Sequence, residues 1–137
     1  MKLTLVCLTV FLAGIVAGLD NPPNYNITCL NGDRVNNPTD FAACQGALDN
    51  FRVKNGKLSV PADGVSAKCL MCQITVTSGK GADVPFGWVQ YALSYPVFTS
   101  KCSGPPMNVA LTDPKNAINP IVVSIKAAPG DNTCSKD

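Results

Sequence analysis

The chain has 137 residues, 11 basic against 9 acidic side chains, and no histidine. Without imidazole there is no Ser-His-Asp or Cys-His catalytic system and no histidine-based metal site, which removes most secreted hydrolases and metalloenzymes. The charges are nearly balanced and scattered, so neither the electrostatic footprint of a nucleic-acid binder nor a polybasic membrane patch is present.

The N-terminus sets the compartment. Met1-Lys2 is a short basic start, Leu3 to Val16 is an apolar run, and Ala17-Gly18 precedes the polar Asp20-Asn21-Pro22-Pro23. This is the pattern of a secretory signal peptide over residues 1–18, too short for a membrane span, leaving 19–137 as one secreted domain. Cys7 falls inside the signal, so Cys29, Cys44, Cys69, Cys72, Cys102 and Cys134 remain. An even set in an oxidising compartment reads as a framework of disulfides. Cys69-x-x-Cys72 stands without a second such pair, which argues against a zinc or redox motif.

Residues 20–26 read as an extended arm, followed by a short strand near Ile27 to Leu30 and a turn at Asn31-Gly32-Asp33. Asn26-Ile27-Thr28 is the sequon open to N-glycosylation, since Pro38 blocks the one at Asn37. A helix follows Pro38, capped by Thr39 or Asp40, with Phe41, Cys44, Leu48 and Phe51 along one stripe and Asn55-Gly56 as its stop. Lys57 to Val60 is a short strand candidate, and Pro61-Ala62-Asp63-Gly64 a turn.

Residues 67–78 carry a strand alternation. Read as one continuous strand, they send Leu70, Cys72, Ile74 and Val76 to an apolar face and Cys69, Met71, Gln73, Thr75 and Thr77 to the other. Cys44 on the apolar stripe of the helix and Cys72 on the apolar face of the strand are both expected to face inward, so Cys44–Cys72 is the preferred bridge, with Cys69 seeking a partner elsewhere. Ser78 to Asp83 is a glycine-containing loop that lacks the endings of a dinucleotide or P-loop motif.

Phe86 to Tyr95 reads as a second helix stopped by Pro96. Val89, Ala92 and Leu93 form its apolar stripe, and Trp88, Tyr91 and Tyr95 an adjacent aromatic one. Phe98 to Cys102 returns the chain, and the strands Met107 to Thr112 and Pro120 to Ala127 close it, with Cys134 pinning the tail. The expected class is α+β: a small disulfide-bonded α/β sandwich, mainly antiparallel, with two helices.

All nine acidic residues are aspartates, and many adjoin Gly, Asn or Pro, where turn duty accounts for them. No aspartate lies in the apolar context that would hold a carboxyl protonated as a general acid. The chain is therefore read as a non-enzyme that needs no cofactor and no metal. Sugar recognition asks for less: an aromatic face for the C–H surface of a ring, and amide or carboxylate groups for its hydroxyls. Trp88, Tyr91 and Tyr95 offer the face, and the segments Lys80 to Asp83 and Asn116 to Asn119 the polar groups. The competing reading places these aromatics in the core.

Taken together, Ile27-Thr28-Cys29-Leu30-Asn31-Gly32, Asp40-Phe41-Ala42-Ala43-Cys44-Gln45, Ala67-Lys68-Cys69-Leu70-Met71-Cys72, Gly87-Trp88-Val89-Gln90-Tyr91-Ala92 and Lys101-Cys102-Ser103-Gly104-Pro105 resemble the small secreted glycan-binding proteins of mushroom-forming fungi, of the ink-cap lectin type. The resemblance implies a killer-toxin-like α/β sandwich and a lectin-like defence role toward glycans of other organisms, N-acetylhexosamine-containing glycans among them. It carries no sugar-contacting residue onto this chain. Partners expected on this reading are glycans, with no nucleic acid and no stable membrane insertion; a homodimer is compatible with it. The alternative is a killer-toxin-like or effector protein acting on a membrane channel or host protein.

Overall fold

The computed structural model describes residues 22–31, 38–94, 102, 104–128 and 134; for 38–41 and 116–118 it describes the backbone alone. The expected signal segment, the turn after Asn31, the return from Phe98, Pro96 and Tyr95 lie outside the described residues, as do the side chains of Thr39, Asp40 and Phe41. The strands are β1 (Asn24–Cys29), β2 (Val53–Lys54), β3 (Lys57–Val60), β4 (Val65–Cys69), β5 (Cys72–Thr77), β6 (Ala82–Pro85), β7 (Met107–Asp113) and β8 (Asn116–Ala127); the helices are α1 (Pro38–Leu48) and α2 (Phe86–Ala92). The fold is α+β, as its alternating strand patterns and two helical stripes require.

Five strands form an antiparallel sheet in the order β1-β7-β8-β5-β4, and three form a second in the order β2-β3-β6. Directly paired residues share a face, so register turns the alternation of single strands into rows across the sheet. One row runs Ile27, Val109, Val123, Val76, Val65; the next runs Met107, Ile125, Ile74, Ala67. Met107, Val109, Val123, Ile125, Ile74 and Val76 are wholly buried. Each such side chain contributes about 1.5–3 kcal/mol by leaving water. The opposite face carries the polar row Thr28, Asn108, Ser124, Thr75, Ser66, in which the Ser66 and Thr75 hydroxyls are 2.8 Å apart.

The helices cover the apolar face. α1 packs on β4 and β5 and α2 on β7 and β6. The Gln45 side-chain amide donates to the Leu93 carbonyl at 3.3 Å, joining the end of α2 to α1. Phe51, just beyond α1, meets Phe86 edge-on at 6.4 Å between ring centres. α1 ends at Leu48, so Asn55-Gly56 is not its stop. Those two residues are the tip of the β2–β3 hairpin, with φ of 53° and 71°. That conformation suits the right-handed strand twist, and Asn-Gly adopts it at low cost.

The segment 67–78 is the main correction. It is not one strand but a hairpin, with Leu70 and Met71 forming the two-residue turn between β4 and β5. Leu70 has φ 51°, and both turn residues are exposed, at 43% and 52%. Leu70 therefore points away from the core instead of joining Cys72, Ile74 and Val76. Cys69 and Cys72 are directly opposed across the hairpin, so they share the inner face and are both buried. The apolar alternation runs unbroken through a turn with no Gly, Pro or Asn in it, and that concealed the reversal. The Met71 carbonyl accepts the Ala128 N–H at 2.8 Å, which fixes the turn against the end of β8.

Two further corrections are smaller. Ala82 and Asp83 belong to β6 and not to a loop. Asn116 to Asn119 open β8, which begins four residues before Pro120; the β7–β8 register shifts between Leu111 and Asp113, an irregularity of the kind that admits a proline within a strand. In the turn between them the Asp113 carboxylate accepts the Lys115 N–H at 2.8 Å, the local role expected of such aspartates.

Candidate binding surfaces and their support

Three disulfides hold the layers. Cys44–Cys72 joins α1 to the start of β5, with 5.1 Å between Cα atoms. Cys29–Cys102 ties the end of β1 to the segment before β7 across 5.3 Å, and Cys69–Cys134 ties the end of β4 to the tail across 4.1 Å. The opposed Cys69 and Cys72 thus send one bridge to the helix and one to the C-terminal tail from a single hairpin end. Gly46 makes this arrangement fit. A Cβ added there would lie 2.6 Å from the Cys69 Sγ, so the helix can approach the bridge only where it has no side chain.

The aromatic surface is built by α2. Val89 and Ala92 are wholly buried, which anchors the helix and directs Trp88 and Tyr91, three residues apart, to a neighbouring stripe. Both are half-buried, packed on the core on one side and open to solvent on the other. The position is intermediate between the two sequence readings: neither interior residues nor free surface rings. Tyr95 lies outside the described residues.

The structure adds a third ring that the helical pattern did not reveal. Tyr25 is 46% exposed and meets Tyr91 edge-on, with ring centres 5.8 Å apart. The only signal for it in the sequence is parity: it lies two residues before the buried Ile27, on the same strand face, and pairs with Leu111. Asn26 points the other way and is exposed on the edge strand β1.

A second candidate lies on the exposed face of the small sheet. A cavity of about 360 Å³ is lined by Arg52, Lys54, Asn55, Lys57, Ser59 and Asp83. Leu58, Val60 and Val84 turn inward beneath it. The Gly56 carbonyl accepts the Phe86 N–H at 2.9 Å, which fixes the hairpin tip to the start of α2.

Among the described residues, no group of three or more Cys or Asp side chains is placed to hold a metal ion, and no helix is long and apolar enough to cross a membrane. No known protein family, curated protein or solved structure matches this chain.

Proposed function

We propose that this is a secreted carbohydrate-binding protein of lectin-like defence type, acting on glycans of other organisms by recognition and not by turnover. The observation that carries the reading is the Trp88–Tyr91–Tyr25 surface. Tyr25 and Tyr91 meet at the junction of β1 and α2, and Trp88 stands one helical turn from Tyr91; the two α2 rings are braced by the core and Tyr25 is exposed. Such rings lose little conformational entropy on binding, and their faces suit the C–H surface of a pyranose. The resemblance of the cysteine and helix segments to fungal glycan-binding proteins points the same way, with N-acetylhexosamine-containing glycans as first candidates. Three disulfides suit an extracellular protein.

The test is a glycan array probed with the oxidised protein and with Tyr25→Ala, Tyr91→Ala and Trp88→Ala. Loss of one stacking ring should weaken binding about fivefold to tenfold. Tyr25→Ala is the cleanest variant because the exposed ring contributes least to the core. Absence of saturable binding to any glycan, or binding unchanged in all three variants, rejects the proposal.

A second reading, an effector docking on a channel or host protein, is favoured by the exposed apolar tip Leu70-Met71, which is anchored by the Cys69 and Cys72 bridges. Growth inhibition without sugar binding, abolished by Met71→Ser, would select it.

A further inference from the structure

We propose that the cavity on the small sheet is a binding site for an acidic saccharide, one bearing sulfate or carboxylate groups among free hydroxyls. This site shares no residue with the aromatic surface and does not depend on the reading given above.

Two observations carry it. The first is composition. The lining residues Arg52, Lys54, Lys57 and Asp83 give three cations against one anion, and Asn55 and Ser59 add groups that both donate and accept. The second is register. Lys54 and Lys57 are directly opposed across the β2–β3 hairpin, beside the Asn55-Gly56 turn. Like charges in opposed positions disfavour a strand pair, and the one carboxylate in the lining, Asp83, leaves the group net positive for an added anion to balance. Ser59 and Asp83 are likewise directly opposed on β3 and β6, placing a hydroxyl and a carboxylate together on the adjoining strand pair.

The same inventory chooses between polyanions. A nucleic acid presents a continuous phosphate backbone and bases that want an aromatic platform. The cavity has no aromatic side chain in its lining, and Asp83 would oppose closely spaced phosphates. A saccharide with spaced anions fits better. Its anionic groups take the lysines, and its hydroxyls donate to the Asp83 carboxylate and exchange hydrogen bonds with Asn55 and Ser59. Lysine reads such groups as point charges, so sulfate and carboxylate are both accommodated.

The experiment uses the full oxidised protein and fluorescence anisotropy with three labelled probes: a heparin-type sulfated polysaccharide, the same polymer desulfated so that only uronate carboxylates remain, and polyphosphate. Lys54→Ser/Lys57→Ser is compared with Lys115→Ser/Lys126→Ser, which removes the same charge from β8 and the turn before it. The hairpin variant should weaken saccharide binding about tenfold or more, and the control by less than about twofold. Binding that survives desulfation assigns the carboxylate; binding lost with the sulfates assigns the sulfate; either supports the site. Without ligand, Lys54→Ser/Lys57→Ser should unfold at the same temperature as the parent or higher, because the opposed charges are gone. The sulfated polymer should raise the unfolding temperature of the parent and not of the variant. Equal weakening in both variants, no saccharide binding, tighter binding of polyphosphate than of either saccharide, or a hairpin variant that unfolds several degrees earlier would each overturn the proposal. Because the aromatic surface is tested by different variants on neutral glycans, either proposal can fail without the other.

Discussion

Gly46→Ala should destabilise this protein although it replaces a helical glycine by the best helix former. In an unconstrained helix interior the change is worth about 1 kcal/mol in favour of alanine. Gly46 lies within α1 and has no left-handed φ to protect. Its constraint is purely steric. The new Cβ would sit 2.6 Å from the Cys69 Sγ, 3.5 Å from the Cys69 Cβ and 4.0 Å from the Cys134 Sγ. Favourable carbon contacts lie at about 3.5–4.0 Å, so the first of these overlaps by about 1 Å. Neither neighbour yields easily, since Cys69 is held by its bridge and by the hairpin pair with Cys72, and α1 is held by the Cys44–Cys72 bridge.

Overpacking of this kind costs about 1–3 kcal/mol, and an overlap of this size against two bridged neighbours falls toward the upper end, so after the helical gain the net loss is up to about 2 kcal/mol. Denaturant unfolding of the oxidised protein measures it, and a thermal scan should show a fall of about 4 °C per kcal/mol. The decisive comparison is Gly46→Ala in a Cys69→Ala/Cys134→Ala background, where the sulfur is absent. There the substitution should become stabilising by up to about 1 kcal/mol, and the difference between backgrounds is the coupling energy. Removing that bridge, with 65 residues between its ends, costs about 4 kcal/mol by loop entropy. If Gly46→Ala stabilises both backgrounds equally, the close approach of α1 to the Cys69 sulfur is not what selects glycine.

Two more outcomes can be checked alongside it. Cys44→Ala/Cys72→Ala opens a bridge whose ends are 28 residues apart, so unfolding free energy should fall by about 3.5 kcal/mol, and peptide mapping of the parent should recover these two cysteines in one linked fragment. Leu70→Gly relieves a left-handed φ of 51° at an exposed position and should raise stability by about 0.5–1 kcal/mol; a loss instead would mean that the leucine side chain holds the turn.

The amphipathic strands were legible because burial on one face of a sheet imposes a period of two, and Val109, Leu111, Val123 and Ile125 carry it plainly. The helical stripe of Val89 and Ala92 was legible for the parallel reason at a period near 3.6, and Cys44 is wholly buried on the face of α1 toward the sheet. Turns were legible where their residues name them, as at Pro61-Ala62-Asp63-Gly64, where the Gly64 N–H donates to the Pro61 carbonyl at 2.9 Å.

Other features depend on pairs distant in the chain. The reversal at Leu70-Met71 breaks no hydrophobic period, and its left-handed leucine is a choice that local propensity opposes; it is fixed by strand pairing and the Ala128 N–H. Tyr25 becomes part of an aromatic surface only because β1 pairs with β7 beside α2, and the opposed lysines become a cavity wall only when β6 closes the small sheet. By itself the sequence determined which residues of each regular strand and helix leave water, since burial there is written in local periodicity, and it misassigned Leu70 and Cys69 where the chain reverses. Register across strands is a relation between separated segments: the two periodicities were enough to pair Cys44 with Cys72, but the tertiary structure alone decided the partners of Cys29 and Cys69 and which exposed side chains stand together.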